Sequence, residues 1–517
     1  MTTSAATLGV LNALANRLTH SDGFDPLDHL GHLLAGIGMA PRDSGGRIEF
    51  IGRDPIIPSV FRIASAAGIG LAAKSVAMAS LWRARGGAGQ DIEVDLRKAP
   101  HRLCPFYDRK WEKLNGYPPR NPADPETPFS LAFYETRDNR WVMPLNLYPR
   151  LKTSALRLLG CADDPKAVAA AIRQWDAADL EAAGAKAGVV MPMIRSAEEF
   201  LAERHYLDAL QDLPLIEIEK IGESDPIPFT PNPGAPLSGI RALGLARVIA
   251  GAGTGRALAL HGADVLNIWR PTDFEIDLLY ATANVGVRSA TLDVASTQGA
   301  AKMRELLSGA DVFYANRRAG FLAKLGLSPQ EAAVVRPGII HASVSLHGQT
   351  GPWADRPGFD QSAGCVSGVV TLEGTPLAPK LPTILVVNDY LGAWLLTTGI
   401  VAALMRRARE GGSYCVHVSL TRLSVWLYTL GLFDKDYAHA TADSSEPHRY
   451  LDPDLFQADT PLGAYQGVTE QVRMSLTPGA YQHVLVPRGS CKPAWEAYPH
   501  KQGVENRAEE SKLSRRA

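Results

Sequence analysis

Three stretches of this chain carry side chains that could do chemistry. In ILVVNDYLGAWLL (384–396), the β-branched run 384–387 predicts a short buried strand. A pattern of small and apolar residues then predicts a helix to about residue 405, closed by Arg406, Arg407 and Arg409 with Gly411 and Gly412 beyond. Asp389 falls where strand hands over to helix. A carboxylate there either caps a first-turn amide or is presented to a ligand. The second stretch is GAGTG, with Gly251, Gly253 and Gly255 between a predicted strand and a predicted helix. It reads as a tight turn or as a cradle for a pyrophosphate on helix amides. It is not G-x-G-x-x-G, because the third glycine comes one residue early, and Trp269-Arg270 stand where a dinucleotide fold places an acid. A nicotinamide-dependent oxidoreductase would rest on these glycines alone. The third is GFDQSAGCVSG (358–368), where Asp360 offers a second acid that caps a helix or joins a polar network.

The rest of the chain bounds what these residues serve. At 517 residues it is long enough for two to four domains. Charged residues make up 21% and hydrophobic ones 46%, and the formal net charge is −1, so no overall basicity points to nucleic acid or to an anionic membrane. Five scattered cysteines (Cys104, Cys161, Cys365, Cys415, Cys491) form no C-x-x-C pair, which predicts neither a disulfide framework nor a metal site and fits a reducing, cytoplasmic setting. The amino terminus lacks the basic region of a signal peptide, and Lys, Arg or Asp interrupts each apolar run before 18 residues.

Along the chain, alternating strands and helices from about residue 240 predict an α/β fold with a doubly wound, mostly parallel sheet. Proline-rich loops, a strand–turn–strand and helices over 101–236 predict a small α+β domain, with Ser196 and Glu199 as a capping box. An internal match at an offset of 324 residues pairs Gly68, Leu71, Ala79, Arg83, Ala84, Arg85, Gly87, Val94 and Leu96 with Gly392, Leu395, Ala403, Arg407, Ala408, Arg409, Gly411, Val418 and Leu420. It predicts an incomplete internal duplication, with Ser65 opposite Asp389. The expected organisation is a partial repeat over 1–100, the small domain and linker over 101–236, the catalytic domain over 237–450, and a C-terminal extension over 451–517 with a mobile tail. LVPRGS (485–490) matches a protease-tag sequence by coincidence.

The strand, Asp389, the glycine three residues on, the alanine-rich helix and the Arg-x-Arg-x-Gly turn resemble the catalytic segment of family III CoA-transferases, which include formyl-CoA transferase, carnitine CoA-transferase and α-methylacyl-CoA racemase. AGAGTGRALALHGADVLNIWRP and NVGVRSATLDV resemble the family's opening motifs. The resemblance implies a Rossmann-like CoA-binding sheet and Asp389 as the nucleophile. It implies contacts to CoA from Val248, Ile249, Ala250, Arg270, Asn316, Arg317 and Lys324, while Ala295 and Pro357 replace two basic positions of formyl-CoA transferase. Phe359 stands where the racemases carry a histidine, so a second acid/base on that side is lacking. Trp394 would be a core aromatic or an acyl-pocket wall, and no tetraglycine loop is evident in 101–236. CoA and acyl-CoA are implied as substrates, a carboxylic acid as acceptor, and no tightly bound cofactor or metal. An acyl-CoA isomerase, dehydratase or racemase-like enzyme, or a non-catalytic CoA-binding protein, are the alternatives. Family members are interlocked dimers, so a homodimer is implied, or a single chain whose 68–96 segment packs beside 392–420 to supply a two-fold-like core.

Overall fold

The computed structural model describes residues 4–20, 23–120 and 127–496. The first segment contributes strand β1 (Gly45–Ile51), helix α1 (Ile63–Ala84) and strand β2 (Gln90–Asp95), with β1 and β2 parallel. By length and composition α1 could cross a membrane, yet here it is a core helix: the apolar window is wholly buried.

The large sheet is built from β3 (Glu217–Gly222), β4 (Arg241–Leu245), β5 (Asp264–Trp269), β6 (Arg288–Thr291), β7 (Val312–Ala315), β8 (Ile340–Ser345) and β9 (Ser413–Ser419), in the order β3-β9-β8-β7-β4-β5-β6. All neighbours are parallel except β3, which runs antiparallel to β9 at one edge. Alternate side chains serve two cores, as the pleat requires. Leu243, Leu245, Leu266, Ile268 and Phe313 pack with Met303, Leu306 and Leu307 on one face. Ala242, Val265, Val312, Tyr314, Ile340 and Ala342 join α1, helix α2 (Ala250–Leu260) and the long helix α4 on the other. This is the mixed α/β, parallel-rich architecture that the alternation of elements predicts.

Helix α3 (Asp360–Val366) precedes α4 (Asn388–Glu410), which is buried from end to end of its first seventeen residues. Its small-residue pattern has a packing cause. A Cβ on Gly253 of α2 would stand 3.1 Å from Tyr390, and one on Gly70 of α1 would stand 2.6 Å from Leu391 and 3.1 Å from Trp394. Glycine and alanine at these points let three helix backbones approach closely enough to bury the two aromatics. Trp394 is thus a core residue, fully buried against α1.

Two local expectations are corrected. Residues 384–387 form no strand: Leu385 takes φ +61° in a turn, and the Val387 amide leaves any ladder to bond the Asp360 carboxylate. The run is apolar because Ile384, Val386 and Val387 are buried, and burial alone cannot distinguish strand from turn. GAGTG is not a turn either. Its three glycines lie inside α2, where Gly251 faces Asn316 and Gly255 faces the Tyr314 hydroxyl. They serve close packing, and the dinucleotide reading loses its footing.

Residues 455–474 fold back onto earlier parts of the chain. Leu455–Thr460 and Gly463–Val468 form a hairpin that also pairs with Lys113–Leu114, and strand β10 (Val472–Met474) adds antiparallel to β2. A buried ion cluster ties the parts together. Lys74 of α1 bonds Glu470, Arg102 bonds it at 3.1 Å, and Arg256 of α2 lies 3.8 Å from both Glu470 and Glu112. The predicted Ser196–Glu199 capping box is present. The tail expected to be mobile, 501–517, lies outside the described residues.

Candidate active site

Asp389 is the second residue of α4, and its carboxylate caps nothing. The first-turn amides are taken instead by Asp360, whose Oδ2 accepts from the amides of Val387 (2.8 Å), Asn388 (2.8 Å) and Asp389 (3.2 Å), while Oδ1 accepts from the Asn388 side chain at 2.8 Å. Burial raises the Asp360 pKa, and these four donors oppose that rise. Among the described residues, no donor reaches the Asp389 carboxylate. Burial, and then the charge of Asp360, push its pKa well above the ordinary carboxylate range. The two acids titrate as a pair in which Asp360 keeps the charge and Asp389 the proton. The result is an acid held by its neighbour's hydrogen bonds, with its own oxygens uncommitted.

Tyr148, which precedes the helix Pro149–Leu159, lies near this place. Its ring lies flat on Phe359, with centroids 5.7 Å apart and planes 10° apart. Its hydroxyl donates to Glu275 at 2.6 Å. Glu275 also accepts from the Val248 and Ile276 amides, at 2.8 and 3.0 Å. Burial and the Glu275 carboxylate raise the Tyr148 phenol far above its usual value, so it stays protonated, and the Asp389 carboxylate is near enough to add to that rise. Val248 follows β4 with φ +60°, a left-handed conformation that a β-branched residue adopts only under constraint. Glu275 supplies that constraint.

The chain turns from β4 toward β5 and β6 on one side and toward β7, β8 and β9 on the other. The crevice past the carboxyl ends of β4 and β7 is therefore the topological switch point, where open α/β sheets take ligands. Asn316 closes it, donating to the Arg247 carbonyl at 2.8 Å and accepting from the Arg247 amide at 3.0 Å. Arginines gather on Asp273 beside it: Arg270 at 2.8 Å, Arg317 at 2.7 Å and Arg247 at 3.4 Å, with Arg488 donating to the Asp273 carbonyl at 3.1 Å. Against burial, which raises it, the bonds to Arg270 and the charges of Arg317 and Arg247 hold Asp273 down to about 2. Arg270 and Arg317 both lie over the Phe321 ring.

The structure therefore brings Val248, Arg270, Asn316 and Arg317 to one crevice, with Ile249 and Ala250 leading into α2 behind it. Lys324 ends the helix Ala319–Lys324, exposed and without an ion pair among the described residues. Ala295 is exposed and Pro357 half-buried, and neither restores a cation. Sequence reasoning missed Arg247, Asp273, Glu275, Tyr148 and Arg488. Arg247 had a signal, standing directly before Val248 at the strand end. Arg488 lay in the LVPRGS stretch taken for coincidence. Among the described residues no cluster of His, Cys, Asp or Glu could hold a metal ion.

A parallel α/β sheet with a basic cluster at its switch point and a buried acid at a helix start is the arrangement of a ligand-binding α/β fold. Residues 237–510 match the description "CoA-transferase family III", and the chain belongs to that family. It is 33% identical over 213 residues to a succinate–glutarate CoA-transferase of Agrobacterium fabrum, covering 38% of this chain and 53% of that protein. It is 28% identical over 328 residues to the acetyl-coenzyme A transferase nodX of Hypoxylon pulicicidum, covering 58% and 55%. Among solved structures, the Mycobacterium tuberculosis protein Rv3272 is 30% identical with a TM-score of 0.36, covering 38% of this chain and 58% of that one. The chain thus spans about half the length of the relatives it matches.

Proposed function

We propose that this chain moves CoA from an acyl-CoA thioester to a carboxylic acid through a covalent intermediate on Asp389. The observation that carries the reading is the division of labour at the start of α4, where Asp360 takes the amides and leaves the Asp389 oxygens free. An Asp389 oxygen attacks the thioester carbonyl, the C–S bond breaks, and a mixed anhydride and CoA thiolate result. The thiolate attacks the aspartyl carbonyl, releasing the donor acid and leaving an aspartyl–CoA thioester. The acceptor carboxylate attacks that thioester, CoA thiolate leaves and adds to the acceptor's acyl carbon, and Asp389 is regenerated. No water, oxidant or net proton is consumed. Closing the site against water keeps the anhydride from hydrolysis.

The arginines on Asp273 and the tied loop at Val248 support the switch-point crevice as the CoA site. Arg270, Arg317 and Arg247 pair with Asp273, Arg247 also lies 3.9 Å from Glu275, and Arg488 bonds the Asp273 carbonyl, leaving an excess of positive charge for phosphates. Arg270, Asn316, Arg317, Val248, Ile249 and Ala250 are assigned to it, joined by Arg247 and Arg488, and Lys324 only as a peripheral charge. The isomerase or racemase alternative gains nothing: Phe359 is stacked on Tyr148, and among the described residues no imidazole stands on that side.

We also propose that residues 1–100 are a partial repeat of the catalytic half, so that one chain carries a two-fold-like core with one reactive centre. Domain limits of 101–236 for the small domain, 237–450 for the catalytic domain and 451–517 for the extension accompany that reading. Treating the full chain with acyl-CoA and hydroxylamine, then mapping the modified residue by mass spectrometry, tests it. Aspartyl hydroxamate at residue 389, at one per chain, is expected. An Asp389→Asn variant that transfers CoA at the parental rate would overturn it.

A further inference from the structure

Near the antiparallel edge of the large sheet, on the face away from α4, three side chains form a chain of hydrogen bonds that no step above uses. Ser345 ends β8, His417 lies on β9 and Glu217 opens β3. Val344, Val416 and Val418 point into the core shared with α4, so the pleat sends Ser343, Ser345, Cys415 and His417 to the opposite face. The register sets Glu217 directly across from His417. The Ser345 hydroxyl meets His417 Nε2 at 2.8 Å, and His417 Nδ1 meets Glu217 Oε2 at 2.7 Å. A carboxylate only accepts, so Nδ1 donates to Glu217 and Nε2 is left to accept from Ser345. The Gly348 amide donates to the Ser345 oxygen at 2.9 Å, which leaves the hydroxyl proton directed at the imidazole. His417 is buried, whereas Ser345 and Glu217 are only half-buried. A serine that merely capped the turn to Gly348 would need neither the histidine nor the acid behind it.

Independently of the transferase reading, we propose that Ser345, His417 and Glu217 form a second reactive centre, in which an activated serine hydrolyses small neutral esters. The Ser345 oxygen attacks the ester carbonyl while its proton passes to His417 Nε2. The C–O bond to the alcohol breaks, and the alcohol leaves with that proton. Water then gives a proton to Nε2 and attacks the acyl-serine; the acid departs as Ser345 takes the proton back. Glu217 is a positioning residue, holding the imidazole tautomer and opposing the charge the ring gains. The main-chain amides of Gln349 and Thr350, in the exposed loop after Gly348, donate to no group among the described residues, so the loop carries donors for an oxyanion. Glu219 stands across from Cys415 on the same face, and two carboxylates therefore border the site. Their charge disfavours an anionic substrate such as a CoA thioester and leaves neutral esters as the class admitted.

Treating the full chain with a fluorophosphonate and mapping the adduct by mass spectrometry tests the serine without any substitution. One adduct per chain, on Ser345, is expected. Ser345→Ala should lose both the adduct and the saturable part of para-nitrophenyl acetate hydrolysis. His417→Gln should slow labelling at least ~100-fold, the scale of general-base catalysis. Glu217→Gln should lower kcat for the ester roughly tenfold or more at unchanged KM, because Glu217 touches the imidazole and not the substrate. Should a variant not fold, the adduct on the parental chain still decides. A folded parental chain without an adduct at Ser345 overturns the proposal. Saturable ester hydrolysis that survives Ser345→Ala does the same, as does labelling of His417→Gln at the parental rate.

Discussion

The segments 63–96 and 387–420 follow the same plan with different contents. Each runs from a buried helix through a basic turn into a parallel strand. A Cβ on Gly68 would meet Leu96 and Val94, and one on Gly392 would meet Leu420 and Val418, which are the same positions shifted by 324. Gly70 and Trp394 are also equivalent at that offset, and a Cβ on Gly70 would stand 3.1 Å from Trp394, which supports the proposed two-fold relation. Each helix start is held by a distant acid in a Gly-x-Asp sequence: Asp54 accepts from the Ser65 amide at 2.7 Å, and Asp360 from the Asp389 amide at 3.2 Å. The anchoring acid is present twice and the free acid once. We read this as a separation of roles: the anchor holds a helix in both halves, whereas the free carboxylate is needed only where a thioester arrives.

The largest effect that would break the comparison is on activity. Asp389→Asn is expected to lower CoA transfer by at least ~10⁴-fold, as loss of a nucleophile does. Ser65→Ala should leave the rate within about twofold, the scale of a change outside the chemistry. Steady-state transfer between an acyl-CoA and a free acid measures both. A loss at Ser65 equal to that at Asp389 would mean both halves act.

Next in size is the seam between the proposed halves. Glu470 bonds Lys74 and Arg102 and lies near Arg256. Despite burial, the charges of Lys74, Arg102 and Arg256 hold its pKa far below the ordinary glutamate range. Its contribution is complete above the unfolded pKa, about 4.3, and fades as pH falls toward the folded value. Removing one member leaves buried charges uncompensated, so Glu470→Ala should cost about 3–5 kcal/mol in urea unfolding. If the halves were merely adjacent, the loss would be under about 1 kcal/mol, as for an exposed pair.

Much of this was readable in the chain and some was not. Asp389, the parallel sheet and the offset match are visible because short-range pattern, β-branched runs and repeated small residues record them. The glycines of GAGTG misled, since a helix packed against two neighbours needs small residues as much as a turn does. The run 384–387 misled because burial produces the same composition in strand and turn. Asp360 looked like a local cap, but its partners lie some 27 to 29 residues on. Tyr148 and Glu275 meet across 127 residues, and no local signal announces such a pair.

A smaller effect distinguishes the two anchors. Asp54→Asn and Asp360→Asn each weaken the amide caps of a helix start, and each should cost about 1–3 kcal/mol in urea unfolding. Their pH profiles should part. The reactive form of Asp389 is the carboxylate, so kcat/KM rises as pH passes its raised pKa. Asp360 contributes to that rise through its charge, so Asp360→Asn should move the ascending limb to lower pH, even as the maximal rate falls from a looser helix start. Asp54 stands beside Ser65, which has no carboxylate to perturb, and Asp54→Asn should leave the limb where it is. Two limbs displaced together would show that the Asp54 charge also reaches the reacting acid, and the halves would then be one electrostatic unit and not an active and a silent copy.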